Sequence, residues 1–235
     1  MSTRTAASLS SRRRMRTADR WMLVSVAATA ALAFVPAADP ILYPLRLFVT
    51  ILHEGAHALA AIATGGHVVS IALHPSGSGL THAAPGLLGL YYSAGYVGTV
   101  AAGAAGLLLC RRERSGRIVL IGLGLLIAAL TALWMRNLFG LGAGAGIAAV
   151  LLLAGWKLPR SGADLMAAFL SVQLLLHAIL DIRTLWFLTT STSLENDAVL
   201  MARAFGGPAW LWAGTWAVAS AGILLATLRA YLARR

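Results

Sequence analysis

An apolar run from Ile41 to Ala63, long enough to cross a bilayer, carries His53-Glu54-Gly55-Ala56-His57 near its centre. Two imidazoles and a carboxylate in a segment that must satisfy its polar groups without bulk water constrain the fold more than any other feature of the chain. On a helix, imidazoles four residues apart project from one face and can grip one cation, with Glu54 about 100° around from His53. In the H-E-x-x-H pattern two His hold zinc and the Glu serves as base toward water. The other use of such residues is an interhelical hydrogen-bond cluster without metal.

Composition agrees with a membrane setting. Of 235 residues, 59% are hydrophobic and 11% charged, whereas soluble domains carry about 25% charged residues. The chain therefore reads as an all-α polytopic protein of the cell membrane, with about six to seven transmembrane helices. A net charge of +11 raises the possibility of nucleic-acid binding, but the basic residues gather in the tail (Arg12, Arg13, Arg14, Arg16, Arg20) and in short loops such as 111–117. That distribution suits the flanks of a bilayer, not a nucleic-acid groove. The single Cys110 excludes an internal disulfide and any multi-cysteine zinc knuckle, so a metal here must use His and carboxylate ligands. Arg far outnumbers the single Lys157, and Ala and Gly are abundant, which points to a GC-rich bacterial genome.

Residues 1–20 read as a disordered basic tail, and 21–235 as a single transmembrane domain. Seven apolar stretches follow the tail. The first, Trp21–Pro36, is short for a span and shares features with a signal peptide, with Ala37 and Ala38 near a cleavage position; retention is the preferred reading. The second holds the metal motif. Next, Val68 to Leu73 is β-rich and Pro75-Ser76-Gly77-Ser78-Gly79 supplies turn residues before Leu80-Thr81-His82, which predicts a β-hairpin directly after the motif helix. The third span, Gly86–Leu109, presents Gly95, Gly98, Ala102 and Gly103 for close packing against the motif helix. Spans follow at Ile118–Met135 and Gly140–Trp156, expected to form a helical hairpin, then at Ala163–Leu188 and Pro208–Leu228. If all seven segments cross, the tail lies opposite the basic loops, in conflict with the positive-inside rule. Letting the first segment dominate puts the tail in the cytoplasm and runs the motif helix from outside to inside.

A catalytic zinc needs a third protein ligand. Asp181 sits inside the sixth span, where a mid-helix aspartate costs about 2.5 to 3.5 kcal/mol without a partner. If the fourth and fifth segments both cross, the sixth is parallel to the second, and Asp181 lies at nearly the depth of His57. Its other uses are an ion pair with Arg183 or a hydrogen bond to His177. Asp197 is the rival ligand, because its loop emerges from the same end and can fold back; its ordinary use is a helix N-cap for Ala198 onward. His67, His74 and His82, in the hairpin region, are expected to be solvated or hydrogen-bonded and not ligating.

These residues resemble the site-2 proteases, intramembrane zinc metallopeptidases, and most closely the small B-type branch of peptidase family M-fifty that lacks a PDZ domain. The resemblance rests on His53 to His57, then Gly77-Ser78-Gly79-Leu80-Thr81, Ser93-Ala94-Gly95-Tyr96-Val97-Gly98, Asp181-Ile182-Arg183 and Asn196-Asp197-Ala198. It covers residues 41 to 215. It implies two His ligands on one helix, a membrane-associated β-hairpin, and an Asp ligand from a distant helix. The expected activity is zinc-dependent hydrolysis of peptide bonds in membrane-embedded segments, with His53, His57 and Asp181 on the metal, Asp197 as the rival for the third place, and Glu54 as base. The strand Val68–Leu73 is expected to hold an unwound substrate by edge pairing. Two other classes fit less of the pattern: a membrane adaptor that keeps the fold without proteolysis, and a transporter using intramembrane His and Asp.

Overall fold

The computed structural model describes residues 39–111, 115–191 and 195–233, with Ala27 and Ala31 before them; for 177–191, Asp39 and Leu232 it describes the main chain alone. The basic tail and nearly all of Trp21–Pro36 lie outside the described residues. In order, the elements are α1 (Asp39–Ala63), β1 (His67–Leu73), β2 (Gly79–Ala84), α2 (Leu88–Ser93), a π-helical turn (Ala94–Gly98), α3 (Thr99–Leu109), α4 (Gly116–Trp134), α5 (Leu138–Lys157), α6 (Arg160–Ser191), α7 (Asp197–Phe205) and α8 (Ala209–Ala233).

The protein is a multi-pass membrane protein. Five candidate spans occur among the described residues: Pro40–Ala63, Leu88–Leu109, Gly116–Trp134, Leu138–Lys157 and Ala209–Tyr231. Each coincides with an apolar stretch expected from the sequence, and the sixth stretch lies within the 32-residue helix α6. The third span differs from expectation in being broken: α2, the π turn and α3 together make up one crossing.

Helices α4 and α5 form the expected antiparallel hairpin, kept close by glycines. Gly124 faces Leu152, Gly144 faces Thr131 and Gly155 faces Ile121, so the pairing runs in opposite directions along the two helices. With no hydrophobic drive between helices in lipid, such small residues allow the backbone approach that dispersion needs. The same logic joins α3 to α6, where Gly103 and Gly106 pack on Ser171. The main core gathers Phe48, Ile51 and Leu52 of α1, Leu120, Ile127 and Leu130 of α4, and Leu170 and Leu174 of α6.

The hairpin forms where predicted. Strands β1 and β2 pair antiparallel, with Ile71 opposite Thr81 and an irregularity between Val68 and Ser70. Gly77 takes φ +89° in the turn, a conformation that a side chain disfavours. The hairpin lies back along the motif helix instead of projecting from it: Tyr43 Oη donates to the Pro75 carbonyl at 2.7 Å and Thr50 Oγ1 to the Gly77 carbonyl at 2.8 Å. Strand β1 is flanked on both sides over part of its length. Ile71 bridges Met135 in parallel, and the Arg136 amide donates to the Ile71 carbonyl at 3.1 Å. The Asn137 side chain then imitates a strand, accepting from the Leu73 amide at 3.1 Å and donating to its carbonyl at 2.6 Å.

Candidate metal centre

Helix α1 places its H-E-x-x-H residues as the spacing demands, facing inward against the α2–α3 crossing. His57 and Glu54 are 3% and 6% exposed, so neither can rely on solvent for its polar needs. His57 Nδ1–H donates to the Tyr91 carbonyl at 2.7 Å. A carbonyl can only accept, so this bond fixes the tautomer and leaves the His57 Nε2 lone pair directed away from Tyr91. It points to the His53 Nε2, 3.1 Å off.

The acid that completes the group comes from far along the chain. Asp197 Oδ2 lies 3.2 Å from His53 Nε2 and 3.4 Å from His57 Nε2. Asp197 is the first residue of α7, and the N-cap is Asn196, whose side chain accepts from the Val199 amide at 3.1 Å. The capping role expected for Asp197 thus falls one residue earlier, which frees the Asp197 carboxylate to turn toward the imidazoles. Burial pushes this carboxyl up, but attraction to His57 and hydrogen bonds to both imidazoles outweigh burial and hold it well below the usual carboxylate range. Asp181 lies on α6, and its side chain is outside the described residues.

The donor set fits a tetrahedral zinc. Ligands at about 2.0 to 2.1 Å from the metal stand about 3.3 Å from one another, which is the spacing of the three atoms here. Two imidazole nitrogens and a carboxylate oxygen converging at this distance have little reason to meet unless a cation or a proton lies between them. The wall opposite is glycine: a Cβ on Gly95 would sit 2.3 Å from His53 Nε2 and 2.5 Å from His57 Nε2. Gly95 belongs to the π turn, and such turns commonly occur at functional sites because one extra residue re-aims the helix.

Among the described residues, His53, His57 and Asp197 are the group of His, Cys and acidic residues able to share a metal. His67, His74 and His82 are exposed and do not join it, as expected. Gly95 and Gly98 do admit the motif helix, Gly98 lying against Ala56, whereas Gly103 serves α6 instead. Several contributors carried no functional expectation. Tyr91 acts partly through its main-chain carbonyl, which no residue type announces. Tyr96 meets the His53 ring edge-on with centroids 4.8 Å apart and stacks on Trp216 at 5.3 Å, while Trp216 Nε1 donates to Ser93 Oγ at 3.0 Å.

Glu54 stands beside the cluster as an auxiliary group. Thr81 Oγ1 donates to Glu54 Oε2 at 2.6 Å, and Gly79 lies so close that a Cβ there would be 2.6 Å from Glu54 Cγ. A helix-borne His pair, a remote aspartate and a sequestered glutamate, set among membrane-spanning helices, define the class of membrane-embedded metallopeptidase-like proteins. The chain belongs to the Peptidase M50B-like family, whose profile matches residues 24–227. Neither a curated protein nor a solved structure shows a significant match.

Proposed function

We propose that the protein is a zinc-dependent intramembrane endopeptidase, with His53, His57 and Asp197 as metal ligands and Glu54 as general base. The observation that carries this reading is the 3.1 to 3.4 Å convergence of His53, His57 and Asp197 beside a buried carboxylate. That convergence favours Asp197 over Asp181 as the third ligand. Family membership supports the peptidase chemistry and a protein substrate.

Zinc held by these three residues would activate a water and polarise the scissile carbonyl. Glu54 accepts the proton of the attacking water and returns it to the departing amine. The Tyr91 carbonyl keeps His57 in the tautomer that offers Nε2. The centre is reached from the side of His53 and Asp197, whose side chains are 16% and 20% exposed. An adaptor that kept only a structural metal would have no need of a buried base, which speaks against the non-proteolytic reading.

A substrate helix must unwind before its peptide bonds can be attacked, and an open strand edge compensates it for the helical bonds it loses. The expected docking strand was Val68–Leu73, but its Ile71–Leu73 portion has β2 on one edge and residues 135–137 on the other. The docking edge in this reading is therefore that of β2, Gly79–Ala84, which has β1 as its one strand partner among the described residues, carries Tyr91 Oη on its Thr81 carbonyl and runs past Glu54.

The test is cleavage of a single-span substrate by reconstituted, zinc-analysed protein. Wild type is expected to cut it, and Glu54→Gln to keep full zinc while losing about 10²- to 10⁴-fold in rate, the usual share of a general base. Cleavage by Glu54→Gln at the wild-type rate would reject the role of Glu54, and zinc-loaded wild type that cuts no membrane-embedded peptide would reject the peptidase reading.

A further inference from the structure

We infer that Thr81 and Tyr91 are positioning residues that fix the direction of the Glu54 carboxylate relative to the metal ligands; this rests on the hydrolytic reading above. The argument starts from a freedom that must be removed. The terminal torsion of a glutamate is broad, and misplacing a reacting group by about 1 Å can cost about 10²-fold in rate. A base on the same helix as two ligands is therefore placed by its Cα but not aimed by it.

The aiming comes from the hairpin. Thr81 is 7% exposed, and its hydroxyl donates to Glu54 Oε2 at 2.6 Å while also lying 3.1 Å from the Glu54 main-chain carbonyl. The short contact has the length of a charge-assisted hydroxyl–carboxylate bond. With Oε2 so engaged, Oε1 is the oxygen left to take a proton from water. Gly79, two residues earlier on the same strand, leaves the room that Glu54 occupies, since a Cβ there would stand 2.6 Å from Glu54 Cγ and 2.7 Å from Oε1. The carboxylate is thus held by one bond beside a strand backbone that only glycine lets come this near.

The strand is itself tied to the metal side. Tyr91 Oη donates to the Thr81 carbonyl at 2.7 Å, and the Tyr91 carbonyl accepts from His57 Nδ1–H at 2.7 Å. The chain of contacts closes on itself: Glu54 to Thr81, Thr81 to Tyr91, Tyr91 to His57, and one helical turn back to Glu54. Tyr91 thus uses its two polar ends to set one distance, that between the base and a ligand.

Steady-state cleavage of the single-span substrate by zinc-analysed protein separates positioning from mere packing. Thr81→Val keeps the shape and loses the hydroxyl; it is expected to bind wild-type zinc and keep KM within about twofold, with kcat lowered about 10- to 100-fold. Thr81→Ser restores the hydroxyl and should return kcat to within about threefold of wild type. Tyr91→Phe loses the bond to the strand but keeps the carbonyl on His57, and should lower kcat about 3- to 10-fold with zinc unchanged. Wild-type kcat in Thr81→Val, or equal impairment of the Val and Ser variants, overturns the assignment while leaving the peptidase reading intact. If Thr81→Val does not fold, Tyr91→Phe decides: unchanged kcat, or a loss confined to KM or zinc, overturns it. Inactive zinc-loaded wild type instead sinks both claims together.

Discussion

The two halves of the proposed metal centre are built differently. His53 and His57 stand on α1, whose neighbouring residues Phe48, Ile51, Leu52 and Ala58 belong to the main core. Asp197 stands on the nine-residue helix α7, whose buried residues Ala198 and Met201 join Ala213 and Trp216 of α8 in a small cluster of their own. One half is preset by helical geometry and dense packing. The other is delivered by a short element joined to the π turn through Tyr96 and Val97. A helix of nine residues has little stability of its own, so the third ligand depends on docking, and the centre is completed by a module that the main core does not hold directly.

The widest separation between the halves should come from removing a ligand on each side. His57→Ala is expected to lose zinc entirely and reduce cleavage to background. Asp197→Ala should also lose cleavage, yet retain zinc when the metal is in excess, with affinity reduced beyond the roughly 10- to 100-fold typical of a lost outer partner. Zinc titration of both variants checks this, and identical metal loss would show that the halves are equally preset.

A smaller but sharper probe is Gly95→Ala. Its methyl would stand 2.3 Å from His53 Nε2, so every ligand remains but the space among them does not. Zinc stoichiometry is expected to fall well below wild type while the protein stays folded by circular dichroism. Normal zinc in this variant would mean that the π turn can yield.

The smallest effect is expected from the cap of α7. Asn196→Ala removes the bond to the Val199 amide, a change worth about 1 kcal/mol. If that cost falls on docking, zinc affinity drops about fivefold, and amide exchange rises in 197–205 but not in α1. Exchange rising equally in both helices would erase the distinction between the halves.

Much of this was legible in the sequence because it is local. The apolar stretches gave the spans, β-branched residues before a Pro-Ser-Gly turn gave the hairpin, and a five-residue motif marked the two imidazoles and the carboxylate that gather at the candidate centre. What escaped depends on contacts across long separations. Asp197 is 144 residues from His53, and the sequence ranks it behind Asp181, whose place inside an apolar span calls for a partner. Tyr91 supports His57 through a main-chain carbonyl, which any residue possesses. The π turn has no residue signature either, although the glycine at 95 does mark a place for close approach. The edge of β1 was expected to be open because nothing in Met135 to Asn137 reads as a strand. The Asn137 amide carries the donor and acceptor of a peptide unit, and so can occupy an edge without being one.

The π turn has a further consequence. The wide turn takes up one extra residue, so everything beyond it lies about 100° from where an unbroken α-helix of the same residues would carry it. The crossing thereby shows α1 one face at Gly95 and Gly98 and α6 another at Gly103 and Gly106. Drawing Ala94–Gly98 into regular α geometry with every residue kept would swing α3 by the same angle. The crossing would gain regularity, and α3 would turn its small residues away from Ser171.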